Sequence, residues 1–288
     1  MAGPRDCRLE RASEHVWWFT PDDRTDRPSL AIVAGSDASV LLDVGASPAH
    51  TASFLEAAAP LGLAPLRLAV LTHWHWDHSF GGAALDVPIA AHRITADELA
   101  REAAYDWSDE ALAERVRTGA ELEFCGDMIR LELPDRSSLR IVEPQIVFDD
   151  EGLELRLGGV TCEVRRVGGD HAVDSCVTHV IEDGLIFLGD CLSQRLHAPV
   201  AHRTLAGTRE IVATIAAYGA STTVQGHWDE LLDAGALGRE LDLLTSAADR
   251  VERLGDAALA TAADEDDRET LDHLLAGLSD RERSPERA

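Results

Sequence analysis

Thr72–Gly82 reads THWHWDHSFGG, a stretch that packs three of the chain's twelve histidines and one aspartate into six positions, 73–78. It continues LRLAVLT, residues 66–72, an apolar run of strand length that predicts a strand buried on both faces. Successive side chains on an extended backbone point in opposite directions. His73 and His75 can therefore face one side and grip one ion, while Trp74 and Trp76 face the other. A turn at Asp77 and His78 then offers a carboxylate oxygen and another imidazole to a second ion close by. Imidazole nitrogen with carboxylate oxygen suits zinc, and also iron, manganese or cobalt. Gly81 and Gly82 allow a tight loop beneath such a site. Structural needs rarely gather so many costly polar groups after a buried strand, so the cluster points to a ligand.

Four ligands cannot fill two coordination shells, and partners are required downstream. RRVGGDHAVDS places His171 after a predicted strand and a glycine pair. LIFLGDCL places Asp190 after an apolar strand and a glycine, and TTVQGHWDE repeats that design at His227. A strand, a glycine and then a ligand type is how sheet edges build a site from several loops.

Composition frames these motifs. A chain of 288 residues can form one large α/β domain or two small ones, and 45% hydrophobic with 27% charged residues is ordinary for a globular protein. The 26 basic against 52 acidic residues give a formal charge of -26, and lysine and asparagine are absent altogether. So acidic a surface repels a phosphate backbone, which argues against nucleic-acid binding. No apolar run is long enough to span a bilayer, and MAGPRDCRLERASEHVWWF lacks a basic region followed by an apolar stretch. A cytoplasmic protein without membrane association is expected. Cys7, Cys125, Cys162, Cys176 and Cys191 are scattered and odd in number, and read as reduced, mostly buried residues.

Along the chain, SLAIVAG and SVLLDVG predict two strands, and AHTASFLEAAAPLG a helix that stops at a glycine. ITADELAREAAYDWSDEALAERVRTG reads as one or two amphipathic helices with Thr95 and Ser108 as N-caps. IVFDD, LELRLGG, TCEVRRVGG, CVTHVIED and LIFLGD follow as strands, GTREIVATIAAYGA as a helix and TTVQGHW as another strand. One domain is expected over residues 1–230, with a helical insertion at about 93–143. An acidic helical extension, 231–288, packs on it, with a tail that frays after Ser279.

With LLDVG and its Asp43, THWHWDH, His171, Gly189-Asp190 and Gly226-His227 in this order, the chain resembles the metallo-β-lactamase fold superfamily from about Ser29 to Trp228. The resemblance implies an α/β (α+β) fold: an αββα sandwich of two mixed β-sheets with outer helices and a dinuclear metal site at one edge. Carried over by position, His73, His75 and His171 hold the first metal. Asp77, His78 and His227 hold the second, Asp190 bridges them, and Asp43 supports the site from behind. The expected cofactors are two divalent ions, zinc first, with iron or manganese as alternatives. Where the family commonly has Gly-His-Thr, this chain has Asp170 before His171 and Ala172 after it, a departure that bears on local geometry.

Two such ions about 3.5 to 4 Å apart would hold a hydroxide and polarise a carbonyl, so hydrolysis of a small ester, thioester or lactone is expected, with Asp77 as the catalytic carboxylate. A carboxylate at Asp190 resembles the glyoxalase II-like and lactonase-like branches. The absence of a secretion signal, lysine and asparagine argues against antibiotic degradation. Ser193 stands where acyl-homoserine lactonases often have tyrosine, and Arg195 and Arg203 are candidate partners for substrate carboxylates. Tyr105, Trp107, Phe124 and Met128 could line the pocket, and of His197 and His202 the latter is the stronger candidate for touching substrate. A mononuclear iron dioxygenase and a non-catalytic metal-binding module are the alternatives; the filled second-metal shell argues against both. The C-terminal helices could cap the pocket or make a homodimer contact.

Overall fold

The computed structural model describes residues 6–283. Its first sheet takes β1 (Leu9–Arg11), β2 (Val16–Phe19), β3 (Leu30–Ala34), β4 (Ser39–Leu42), β5 (Leu66–Val70), β6 (Ile89–His92) and β7 (Ile146–Phe148) in chain order. Pairing is antiparallel from β1 to β4 and parallel from there to β7. The second sheet takes β8 (Leu153–Arg156), β9 (Thr161–Arg166), β10 (Cys176–Val180), β11 (Leu185–Phe187), β12 (Thr222–Val224) and β13 (Leu232–Asp233), again in chain order. Only β11 and β12 pair in parallel there.

Parallel neighbours cannot be joined by a hairpin, and helices supply the crossovers. α1 (Pro48–Ala58) and the short α2 (Trp76–Ser79) flank β5, and α3 (Arg93–Glu102), α4 (Asp109–Thr118) and α5 (Glu123–Glu132) separate β6 from β7. α6 (Leu205–Tyr218) joins β11 to β12, and α7 (Ala234–Leu254) and α8 (Glu265–Arg283) follow β13.

The layers follow from the two-residue period of a strand. Ala31, Val33, Val40, Leu42, Val70 and Ala90 turn toward the second sheet and meet Cys162, Val164, Val180, Leu185, Phe187 and Val224. Their neighbours Leu30, Ile32, Leu41, Ala69, Leu71 and Ile89 turn outward and pack on Phe54, Phe80, Leu99, Leu112 and Ile129 of the covering helices. On the other side Val177 and Ile186 meet Ile211 and Ile215 of α6 and Leu237, Leu241 and Leu244 of α7. This is an αββα sandwich. The last turns of α7 continue the packing onto Leu271 and Leu274 of α8.

Three details depart from the sequence reading and one follows it. β5 is buried only in its second half, since Arg67 is exposed and Leu66 and Leu68 are half-buried. His92, not Thr95, caps α3: its ring nitrogen accepts from the Ile94 N–H, while Thr95 lies inside the helix. Ser108 does cap α4, accepting from the Ala111 N–H. The strands β1, β2, β6 and β13 are additional elements, and α5 falls within the expected helical insertion. No helix among the described residues is long and apolar enough to cross a membrane. The tail expected to fray is helical backbone as far as Arg283, and 284–288 lie outside the described residues.

Candidate metal centre

Strand ends deliver the polar cluster to one edge of the sandwich. β5 runs into Thr72–His75, the β9–β10 connection carries His171, and β11 and β12 lead to Asp190 and His227. Register keeps the last two together, because the pairing continues past both strands: Leu188 N–H donates to Val224 O at 2.9 Å and Gly226 N–H to Gly189 O at 3.0 Å. Cys176 N–H donates to Thr72 O at 2.7 Å and ties the second sheet to the histidine loop. Rather than a simple turn, Asp77 and His78 occupy α2, whose His78 carbonyl accepts from the N–H groups of Val44 and Gly45. Gly81 is required where this loop passes under the site. A β-carbon there would lie 1.9 Å from Val44 O.

Two groups of donor atoms result. His73 Nε2, His75 Nδ1 and His171 Nε2 are 3.0 to 3.3 Å apart. Their other contacts decide the tautomers of two of them. His171 donates from Nδ1 to Gln194 O at 3.1 Å, and His73 Nδ1 lies 3.0 Å from the Thr72 hydroxyl, which itself donates to Asp43. Both rings thus present bare Nε2 lone pairs to each other. Burial pushes His73 and His75 well below the usual histidine range, with their imidazole neighbours adding to it, and it also lowers His171. Neutral imidazoles with converging lone pairs repel unless a cation sits among them. Zinc–nitrogen bonds in tetrahedral geometry place neighbouring nitrogens about 3.3 Å apart, which these rings match.

The second group is Asp77, His78, Asp190 and His227. Asp77 Oδ2 lies 3.2 Å from His78 Nε2 and 3.1 Å from His227 Nε2. Burial alone would raise both carboxyls, but the His78 and His227 rings hold Asp77 and Asp190 well below the usual carboxylate range. Burial likewise opposes charge on the two rings, and the surrounding carboxylates override it and raise both well above the normal value. His78 Nε2 is buried and faces two carboxylate oxygens, Asp77 Oδ2 at 3.2 Å and Asp190 Oδ2 at 3.4 Å, without an aligned hydrogen bond to either, another mark of a position shaped for a cation.

Behind these rings stand two carboxylates. Asp43 accepts from His78 Nδ1 at 2.7 Å, Thr72 N–H at 2.7 Å and the Thr72 hydroxyl at 2.9 Å. Asp26 Oδ1 lies 3.5 Å from His227 Nδ1. Among the described residues these two are the only non-glycine positions with positive φ, +58° and +57°. Strained backbone is kept where surrounding structure demands it, and here both instances aim a histidine. Asp26 escaped sequence reading because PDDRTDRP reads as an ordinary polar turn.

All seven sequence candidates thus meet at one edge, while several accessory expectations need correction. Asp170 turns away from the site and holds Thr204, the N-cap of α6, through its N–H at 2.7 Å and its hydroxyl at 2.9 Å. Its charge does not disturb His171. A cavity of about 210 Å³ opens over the cluster, lined by Asp26, Phe124, Cys125, Ser193, Leu196 and His197 among others. His197 therefore faces the cavity and His202 does not: it is buried, pairs its backbone with Arg195 and turns its ring to Val200 O. Neither Arg195 nor Arg203 lines the cavity, and of the four aromatic and methionine candidates only Phe124 does. Trp107 and Met128 pack in the core, and Tyr105 is exposed.

Sequence comparison matches residues 24–242 to the metallo-beta-lactamase superfamily. Among solved structures, the chain is similar to a metallo-beta-lactamase from Pontibacter korlensis, at 21% identity and a TM-score of 0.59, over 83% of this chain and 99% of that one. It is also similar to the DIM-1 metallo-beta-lactamase exposed to ceftazidime, at 17% identity and a TM-score of 0.59, over 85% and 100% of the two chains. At these identities the likeness speaks to the fold alone. No curated protein matches the chain.

Proposed function

Because the chain belongs to the metallo-beta-lactamase superfamily, we propose that it is a hydrolase in which His73, His75 and His171 hold one divalent cation and Asp77, His78 and His227 a second, with Asp190 bridging. One observation carries this reading. Asp190 Oδ2 stands 3.5 Å from His171 Nε2 and 3.4 Å from both His78 Nε2 and His227 Nε2, so a single oxygen serves both donor groups. The donors are nitrogen and oxygen throughout, which fits zinc, with iron or manganese as alternatives. When bound, such a pair supplies Lewis acidity toward a carbonyl and lowers the pKa of an attacking water.

The remaining work falls to the chain's own groups. Asp77, kept ionised and facing the cavity, orients the attacking water, accepts its proton and passes it to the leaving oxygen or sulfur. Asp43 and Asp26 keep the rings of His78 and His227 aimed. Trp76, Phe124 and Leu196 restrict water around the reacting bond.

The cavity also bears on the substrate. No arginine lines it, the chain has no lysine, and Asp26 adds negative charge. A substrate carboxylate would find no counter-charge from a side chain, which favours a small uncharged ester, thioester or lactone. The test is metal content per chain by mass spectrometry, joined to rates on a panel of neutral esters, thioesters and lactones, with ceftazidime and a phosphodiester as anionic controls. At least two ions per chain, turnover of a neutral acyl substrate and a loss of at least about 100-fold in Asp77→Ala are expected. One iron per chain with oxygen uptake, or an Asp77→Ala variant as fast as the wild type, would overturn the reading.

A further inference from the structure

A separate set of ligand-type side chains lies where the helical insertion meets the loop after Asp190. Glu121 precedes α5, Cys125 sits in the first turn of that helix, and His197 comes from the loop. One ligand atom from each lies within 4.8 Å of the other two. Cys125 is buried and not in a disulfide. The Trp76 side chain hydrogen-bonds to the Cys125 sulfur, an N–H donor that favours the anionic form of sulfur. His197 is held between Trp74, at 5.5 Å between ring centroids, and His75, at 4.9 Å, and neither of its nitrogens has a hydrogen-bond partner among the described residues. Glu121 accepts only from the Leu122 N–H, at 3.0 Å, and makes no ion pair among the described residues.

Packing does not account for this grouping. A cysteine on the inner face of α5 is ordinary, but a carboxylate and an unpartnered imidazole brought to it from two segments are costly without a partner. Sulfur, nitrogen and oxygen together form a donor set that zinc accepts, and three protein ligands leave one position for water or a substrate atom. We propose that Glu121, Cys125 and His197 hold a third divalent cation of the zinc type, which fastens the insertion to the His197 loop and so fixes one wall of the cavity. Without a cation, burial pushes the Cys125 thiol and the Glu121 carboxyl up, and the thiol stays protonated. On binding, the sulfur releases its proton to water.

None of the seven residues of the paired site is a cysteine, and cobalt therefore separates the two sites. The whole chain, stripped by chelation and refilled with Co²⁺, should take up about three ions and develop a near-ultraviolet thiolate-to-cobalt charge-transfer band. Cys125→Ser should remove the band and one ion. Glu121→Gln, which does not touch the core, should weaken the band-forming step by about 10-fold or more. Absence of the band at saturating cobalt in the wild type, or its persistence in Cys125→Ser, would overturn the third site. Two ions without a band leaves the paired site standing alone; a band with fewer than two further ions sinks the paired site and keeps this one.

Discussion

Asp174 is the carboxylate whose removal tests the electrostatics of the edge without touching the seven residues. It is fully buried, and its Oδ2 accepts from the Trp74 N–H at 2.9 Å and the Thr95 hydroxyl at 2.8 Å, so it pins the histidine loop to α3. Its Oδ1 has no partner. Burial raises this carboxyl from 3.8 to about 6. A folded-state value above the unfolded one means that protonation favours the folded chain. The contribution is complete below about pH 4 and disappears as pH rises through about 6. Moving from 3.8 to about 6 corresponds to about 3 kcal/mol. Asp174→Asn keeps an oxygen for both donors and cannot ionise. Its buried amide hydrogens lose water at a cost of about 1 to 2 kcal/mol, which leaves a gain of about 1 to 2 kcal/mol over the wild type at pH 8 and a loss at pH 4. Asp174→Ala orphans two buried donors and should lose about 2 to 4 kcal/mol at pH 8 relative to Asp174→Asn. Urea unfolding of the chelator-stripped proteins, followed by circular dichroism from pH 4 to 8, measures these differences. Parallel stability curves for the wild type and Asp174→Asn would refute the reasoning, because Asp174 would then ionise alike in folded and unfolded chains.

Three further substitutions probe the supports of the site. Asp43→Ala leaves His78 and both Thr72 donors without their acceptor; metal affinity in chelator competition should fall about 10- to 100-fold. Gly226→Ala puts a β-carbon 1.8 Å from Asp190 Oδ1, and the carboxylate must move from its place between the two donor groups. The expected result is a folded chain with near-wild-type circular dichroism that has lost at least one ion by mass spectrometry. Gly81→Ala meets the backbone at Val44 O instead, where nothing can give way; its melting temperature should report a loss of about 3 kcal/mol or more, and a wild-type melt would contradict the close approach.

Residues adjacent in sequence announce themselves, and residues that act through tertiary approach do not. His73, His75, Asp77 and His78 share one short segment, and His171, Asp190 and His227 each follow a strand and a glycine, so donor type and local pattern together expose all seven. Individual strands were legible too, since strands covered on both faces leave near-continuous apolar runs such as LAIVA and SVLL, whereas the sandwich itself followed from the resemblance that the ordered motifs carry. Asp26 and Asp174 carry no such pattern: one lies in a polar turn and the other beside a serine, and only folding brings them to His227 and Trp74. Thr95 misled because threonine before an acidic helical run has the look of a cap, whereas its hydroxyl is taken by Asp174, 79 residues away. Sequence favours His202 over His197 on the same loop and the preference is wrong, since the backbone pairing of Arg195 with His202 leaves no trace in composition and it is His197 that faces the cavity.

Register and backbone strain divide the task of aiming donors. Asp190 and His227 need no special conformation of their own, because parallel pairing of β11 with β12, prolonged through Leu188 and Gly226, sets them side by side. His78 and His227 could still spin about their side-chain bonds, and register does not restrain that rotation. A carboxylate on Nδ1 does, and it must approach from behind, where an ordinary extended or helical backbone would not carry it. The positive φ at Asp43 and Asp26 is the local answer, and aspartate tolerates it better than most side chains. Strain of about 1 to 3 kcal/mol at each position is thus offset by the contacts it permits, and it keeps two Nε2 atoms on one oxygen of Asp77. If that view is right, glycine at position 43 would relieve the backbone and still weaken metal binding, because what Asp43 supplies is the acceptor for His78 and not the turn.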